Sequence, residues 1–231
     1  MNSFNPNHPT RFQKVTQDFL TAAIKAGKTK LVVEFQQNTG GLILPAYDFF
    51  RQLFPNTVQD GYSRFKENDA FPFKAENIVM MYDGACASTC TIASEFLRHQ
   101  ANVKSVAFGG LPVKGPIEGV GGIKGSQFVT WRNISFATNF SLPYAKTDKH
   151  KAALTRYLEL PLDRTTLAIV NVRDEILEDN IEDGVPAQYI REDADCRLYW
   201  TLPMIEDVTQ VWKATAKAAF NGGKCAHGSI P

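Results

Sequence analysis

Asp83-Gly84-Ala85-Cys86-Ala87-Ser88-Thr89-Cys90 joins two runs of opposite character. Before it, Ile78 to Tyr82 is a continuous apolar stretch of strand length; after it, Ile92, Phe96 and Leu97 recur at helical spacing as far as about His99. A buried strand that turns through Asp-Gly and small residues into a helix places Ser88 at the helix N-terminus. Backbone N–H groups without intrahelical acceptors and the positive end of the helix dipole meet there, which suits a developing oxyanion. Ser88 is thus a candidate nucleophile, and equally an ordinary N-cap, the usual role of serine at such a turn.

The flanking sequence repeats the strand-then-helix alternation. Phe12, Val15, Phe19, Leu20, Ala23 and Ile24 mark a first helix closed by Gly27. Leu31 to Phe35 is a strand running into Asn38-Thr39-Gly40-Gly41, followed by helical spacing from Leu42 to Phe54. Val103 to Gly110 is a further strand ending in glycines, and Gly119-Val120-Gly121-Gly122-Ile123-Lys124-Gly125-Ser126-Gln127 leads into one or two extended segments reaching Ala137. A polar segment spans Gln59 to Asp69. Lys149 to Leu158 reads as a helix, Leu167 to Val172 as a buried strand, and Ile205 to Phe220 as a closing helix ended by Gly222-Gly223. The alternation predicts an α/β layer fold with a largely parallel sheet: an N-terminal segment and helix over residues 1–29, then one core domain over 30–231.

At 231 residues, with 44% hydrophobic and 21% charged residues, the chain can bury a sizeable core. A net charge of +1 offers no attraction for nucleic acid or an anionic membrane, and no run is long enough to span a bilayer. The first residues, Met1 to Pro9, are polar and unlike a secretion signal. Asn133-Ile134-Ser135 and Asn139-Phe140-Ser141 are glycosylation triplets of a kind that also arises by accident, so compartment stays open. Cys196 and Cys225 could form a disulfide that ties down the last helix. Cys86 and Cys90, four apart across a helix start, are expected to pack as small hydrophobes rather than bridge.

Taken in order, the strand into Asn-x-Gly-Gly, the Asp-Gly-x-Cys-x-Ser-x-Cys turn and the Gly-Gly-x-Lys-Gly segment resemble the core of the carboxy-terminal-processing, or tail-specific, serine peptidases. The likeness is to their fungal branch related to a chlamydial secreted protease, and it runs from about Lys30 to Phe220. It implies the β-β-α superhelix shared with crotonases and Clp proteases. It also implies a peptide or protein substrate, with neither nucleic acid nor membrane as partner. Relatives in that branch are commonly longer, with a signal and a further N-terminal region. No PDZ-like tethering domain is recognisable in this chain.

A serine hydroxyl needs a base. In the bacterial tail-specific enzymes the base is the lysine of a Gly-Lys-Gly segment, and Lys124 stands in the matching place; the plain alternative is a solvated lysine at a strand start. The chlamydial-type relatives use a Ser-His-Glu triad whose histidine lies upstream. Here only His8 precedes Ser88, in a segment prone to fray. His99 would lie roughly 16 Å down the helix. His150 and His227 sit among polar residues. Glu182, in Ile181-Glu182-Asp183-Gly184-Val185-Pro186, matches the orienting glutamate of the triad-bearing relatives, with Glu175 and Glu178 as neighbouring alternatives. The amides of Gly40, Gly41 and Thr89 are expected to form the oxyanion hole. The expected activity is that of a serine endopeptidase without metal or cofactor, and the resemblance implies trimming of a secreted or ribosomally made precursor in fungal secondary metabolism. The alternatives are a degenerate peptide-binding member that needs a partner chain, and a crotonase-like enzyme acting on acyl thioesters.

Overall fold

The computed structural model describes residues 1, 3–55, 73–124, 127–158 and 168–231. The polar stretch Gln59 to Asp69, residues Gly125 and Ser126 of the glycine-rich segment, and Leu167 lie outside the described residues. The chain divides into two compact units, Met1–Gly125 together with Ile176–Pro231, and Ser126–Glu175.

In the first unit, α1 (Pro9–Lys25) has a proline in its first turn. It closes at Gly27, whose φ of +64° lets its N–H reach Ile24 O (2.9 Å) while the Lys28 N–H reaches Ala23 O (2.9 Å). There follow β1 (Leu31–Glu34), α2 (Ile43–Leu53), β2 (Ile78–Tyr82), β3 (Cys86–Ser88) and α3 (Thr89–Glu95). A π-helical turn, Phe96–Gln100, extends α3 and leads to β4 (Lys104–Phe108) and β5 (Val120–Lys124). The residues ahead of α1 belong to this unit: Phe4 is fully buried, and its N–H and C=O pair with Gly40 O and Leu42 N, both at 2.9 Å.

The second unit holds β6 (Gln127–Thr130), α4 (Trp131–Ser141), α5 (Asp148–Thr155) and β7 (Ile169–Arg173), with β6 and β7 antiparallel. The extended segment expected as far as Ala137 therefore stops at Thr130. The Thr130 hydroxyl accepts from Asn133 N (3.2 Å) and starts a helix through residues whose β-branched and aromatic side chains favour a strand.

The chain then returns to the first unit with β8 (Cys196–Leu198), α6 (Leu202–Glu206), α7 (Val208–Phe220) and β9 (His227–Gly228). The expected closing helix is thus two pieces. Asp207 caps the second by accepting from Thr209 N (2.9 Å).

The main sheet runs β1-β2-β4-β8-β9, parallel except for β8 with β9. Every residue of β2 is buried. Ile78, Met80 and Tyr82 join one cluster with Leu20, Phe50, Cys90 and Leu97, whereas Val79 and Met81 join another with Val211 and Ala218 of α7. Helices on both faces account for the unbroken apolar run in the sequence. A smaller parallel ladder, β3 with β5, stands apart from this sheet and carries the elbow.

Candidate active site

The turn after β2 is built by Asp83, whose carboxylate accepts from Gln37 N (3.2 Å) and Ala85 N (3.1 Å). Five residues after Asp83, Ser88 is the N-cap of α3 with φ +54° and ψ −122°. A serine there costs of order 1–3 kcal/mol and persists only where its surroundings impose it. They do so from several sides. Ala87 N donates to Asn38 O (3.1 Å), Thr91 Oγ1 donates to Ser88 O, and Thr89 Oγ1 donates to Gly41 O (2.7 Å). A strained strand-to-helix turn that lifts a serine to the helix N-terminus is the geometry of a nucleophile elbow.

Gly40 packs directly under this elbow. A Cβ added there would lie 2.7 Å from Ala87 O, 2.9 Å from Ser88 Cβ and 2.9 Å from Thr89 N, and its φ of +98° excludes most side chains as well. The three amides expected in the oxyanion hole do not play equal parts. The Gly40 N–H donates to Asn38 Oδ1 (2.9 Å), so it shapes the turn rather than facing substrate. Thr89 opens α3 and its N–H has no intrahelical acceptor. Among the described residues neither the Thr89 nor the Gly41 N–H finds an acceptor. Asn38, fully buried and also donating to Met1 O (3.0 Å), is the organiser that sequence reasoning passed over. The Asn of Asn-x-Gly-Gly was the available signal.

Lys124 is the register partner of Ser88 across the β3–β5 ladder. It is 4% exposed, not solvated. Its Nζ lies 3.2 Å from Glu118 Oε1, 3.2 Å from Glu192 Oε2, and donates to Ile190 O. In this arrangement its nitrogen is engaged by two carboxylates and a backbone carbonyl. Glu182 is exposed on the turn after Glu178–Asn180, and the structure does not bring it to Lys124; Glu118 and Glu192 occupy that position. Glu178 is exposed, and Glu175 falls at the end of the second unit.

Glu192 is buried, and its Oε1 lies 3.0 Å from His99 Nε2 and 3.8 Å from Arg98 Nη1. Burial pushes its carboxyl up, but hydrogen bonds with Glu95 and His99 and the charges of Lys124 and Arg98 outweigh that and hold it below the ordinary glutamate range. Glu95, His99 and Glu192 present three ligand atoms within 4.8 Å of one another. Lys124 and Arg98 supply positive charge to Glu192.

Both cysteine pairs are bridged, Cys196–Cys225 and, against expectation, Cys86–Cys90. In a chain that continues forward from strand to helix the two cysteines would stay apart. The reversal at Ser88 folds the first turn of α3 back on β3 and brings the two Cα atoms to 5.3 Å, within disulfide range.

The first unit is thus a predominantly parallel α/β unit that carries a strained serine elbow over a glycine cradle. The chain belongs to the peptidase S41 family. It is 35% identical over 178 residues, 68% of its length, to the peptidase S41 family protein ustP of Aspergillus flavus, covering 36% of that protein. It is 30% identical over 184 residues, 65% of its length, to the peptidase S41 family protein phomP1 of Diaporthe leptostromiformis, covering 27% of it. The chain thus spans about a third of the length of the curated relatives it matches. Among solved structures, the photosystem II D1 C-terminal processing protease aligns at a TM-score of 0.32 and 18% identity, over 51% of this chain and 32% of that one. No protein-family profile matches the chain.

Proposed function

We propose that the chain is the catalytic core of a serine endopeptidase. The observation that carries this reading is the backbone of Ser88, held at positive φ at a strand-to-helix junction with Gly40 against its Cβ and the first amide of α3 beside it. Ser88 Oγ attacks the scissile carbonyl, the Gly41 and Thr89 N–H groups receive the oxyanion, and the amine leaves to give an acyl-enzyme that water hydrolyses. Lys124 is the base of this scheme. As the neutral amine it takes the Ser88 proton and delivers it to the leaving amine, with Glu118 and Glu192, each 3.2 Å away, holding it in place. The small β3–β5 ladder beside the main sheet supports a crotonase-like β-β-α superhelix. The family resemblance supports a role in trimming a secreted or ribosomally made precursor peptide in fungal secondary metabolism.

Hydrolysis of a panel of extended peptides tests the scheme. Ser88→Ala, Lys124→Ala and Lys124→Arg should each abolish turnover, the last because a guanidinium cannot act as a base near neutrality. Turnover retained by Ser88→Ala would remove the serine mechanism; turnover retained by Lys124→Arg would remove Lys124 as base. The ion-paired state of Lys124 favours a second reading, a member that binds extended peptide and needs a partner chain to cut it. In that case the panel binds without being cleaved until a full-length relative is added.

A further inference from the structure

We propose that the Cys86–Cys90 disulfide is a positioning device for the nucleophile: it holds Ser88 in its strained conformation, and it matters to reactivity more than to global stability. This rests on Ser88 being the nucleophile. The bridge joins the residue two before Ser88, extended on β3, to the residue two after it, in the first turn of α3. A chain passing from strand to helix has no intrinsic reason to bring such residues within 5.3 Å; fixing that distance selects a backbone reversal at the residue midway between them, which is Ser88 with φ +54°. Other restraints on the elbow are non-covalent: Gly40 packed against Ser88 Cβ, the pairing of Ser88 with Lys124 on the β3–β5 ladder, and hydrogen bonds from Ala87 N, Thr89 Oγ1 and Thr91 Oγ1. The bridge is the covalent restraint.

Burial and loop length both point to a local rather than a global role. Cys86 and Cys90 are fully buried in the core cluster beneath the elbow, so a reductant in solution has no direct access to the folded bridge. That makes it a fixed staple rather than a switch. The loop it closes spans a sequence separation of 4, against 29 for Cys196–Cys225, and stabilisation by loop closure grows with loop length. Two serines or alanines in place of the cystine remove the restraint while leaving a small, filled site.

The test compares Cys86→Ser/Cys90→Ser and Cys86→Ala/Cys90→Ala with Cys196→Ala/Cys225→Ala. The readouts are the rate of labelling by a fluorophosphonate, kcat and KM on a cleaved peptide, Tm, and a crystal structure of the folded variant. Loss of the elbow bridge should slow labelling and lower kcat roughly 100-fold with KM within about threefold, since displacement of a reacting group by about 1 Å is enough for that loss. Ser88 should leave positive φ. The Cys196→Ala/Cys225→Ala variant should show the opposite pattern, with Tm lower by roughly 10 °C and labelling within about threefold of the parent. If neither elbow variant folds, the same readouts are taken on Cys196→Ala/Cys225→Ala protein refolded in dithiothreitol, in which Cys86 and Cys90 are thiols. A folded protein without the bridge that labels within threefold, or keeps Ser88 at positive φ, overturns the proposal. If the parent itself does not label but Ser88 relaxes when the bridge is lost, the nucleophile reading fails and the positioning role stands.

Discussion

Gly40 admits no side chain, because the space a Cβ would need is filled by Ala87 O, Ser88 Cβ and Thr89 N. Gly40→Ala should destabilise the protein by about 2 kcal/mol or more in urea unfolding and remove activity, by the combined cost of contact and positive φ. Glu192 and Glu182 make a paired test of where the acid lies. Glu192→Gln removes the buried carboxylate shared by Lys124, Arg98 and His99 and should cost about 2–4 kcal/mol of stability. The same change at exposed Glu182 should fall within about 0.5 kcal/mol. Equal effects of the two would contradict the assignment of Glu192 as the carboxylate that meets Lys124.

At the level of elements, the two disulfides differ in what they hold. Cys196 lies in β8 and Cys225 follows α7, so their bridge closes the chain around the helix that covers the Val79 and Met81 face of the sheet. Removing it should cost about 3–4 kcal/mol, against about 2 kcal/mol for Cys86–Cys90, measured on the paired alanine variants by denaturant unfolding. The elements themselves were largely legible in the sequence. The run Ile78 to Tyr82, the Asp-Gly turn and the helical spacing after Ser88 are local signals, and the structure has them where the sequence places them. Trp131 to Ala137 was not legible, since its strand-favouring side chains were outweighed by a single cap at Thr130. The partners of Lys124 were hidden for another reason. Glu192 is 68 positions away and reaches Lys124 through the fold. The Cys86–Cys90 bridge depends on a backbone reversal at Ser88 that residue spacing does not encode.

For the molecule as a whole, acid stability should carry the signature of Glu192. Its folded-state carboxyl titrates below the unfolded value, so it adds stability above about pH 4.3 that is lost as pH falls through the lower folded value. Asp48 has the opposite sign. Burial raises its carboxyl despite hydrogen bonds from Gln52 and Gln13, so its contribution is present at low pH and lost as pH rises through the raised value. Tm measured between pH 2 and 6 should therefore fall less steeply toward acid in Glu192→Gln than in the parent; parallel curves would mean that the buried network contributes no linkage. The central claim is that Ser88 is a reactive nucleophile, and the most direct measurement is reaction of the folded chain with a fluorophosphonate, read by intact mass and peptide mapping. One adduct on the peptide containing Ser88, absent from Ser88→Ala, is the predicted result; a folded chain with no adduct at Ser88, or an adduct that survives Ser88→Ala, would contradict it.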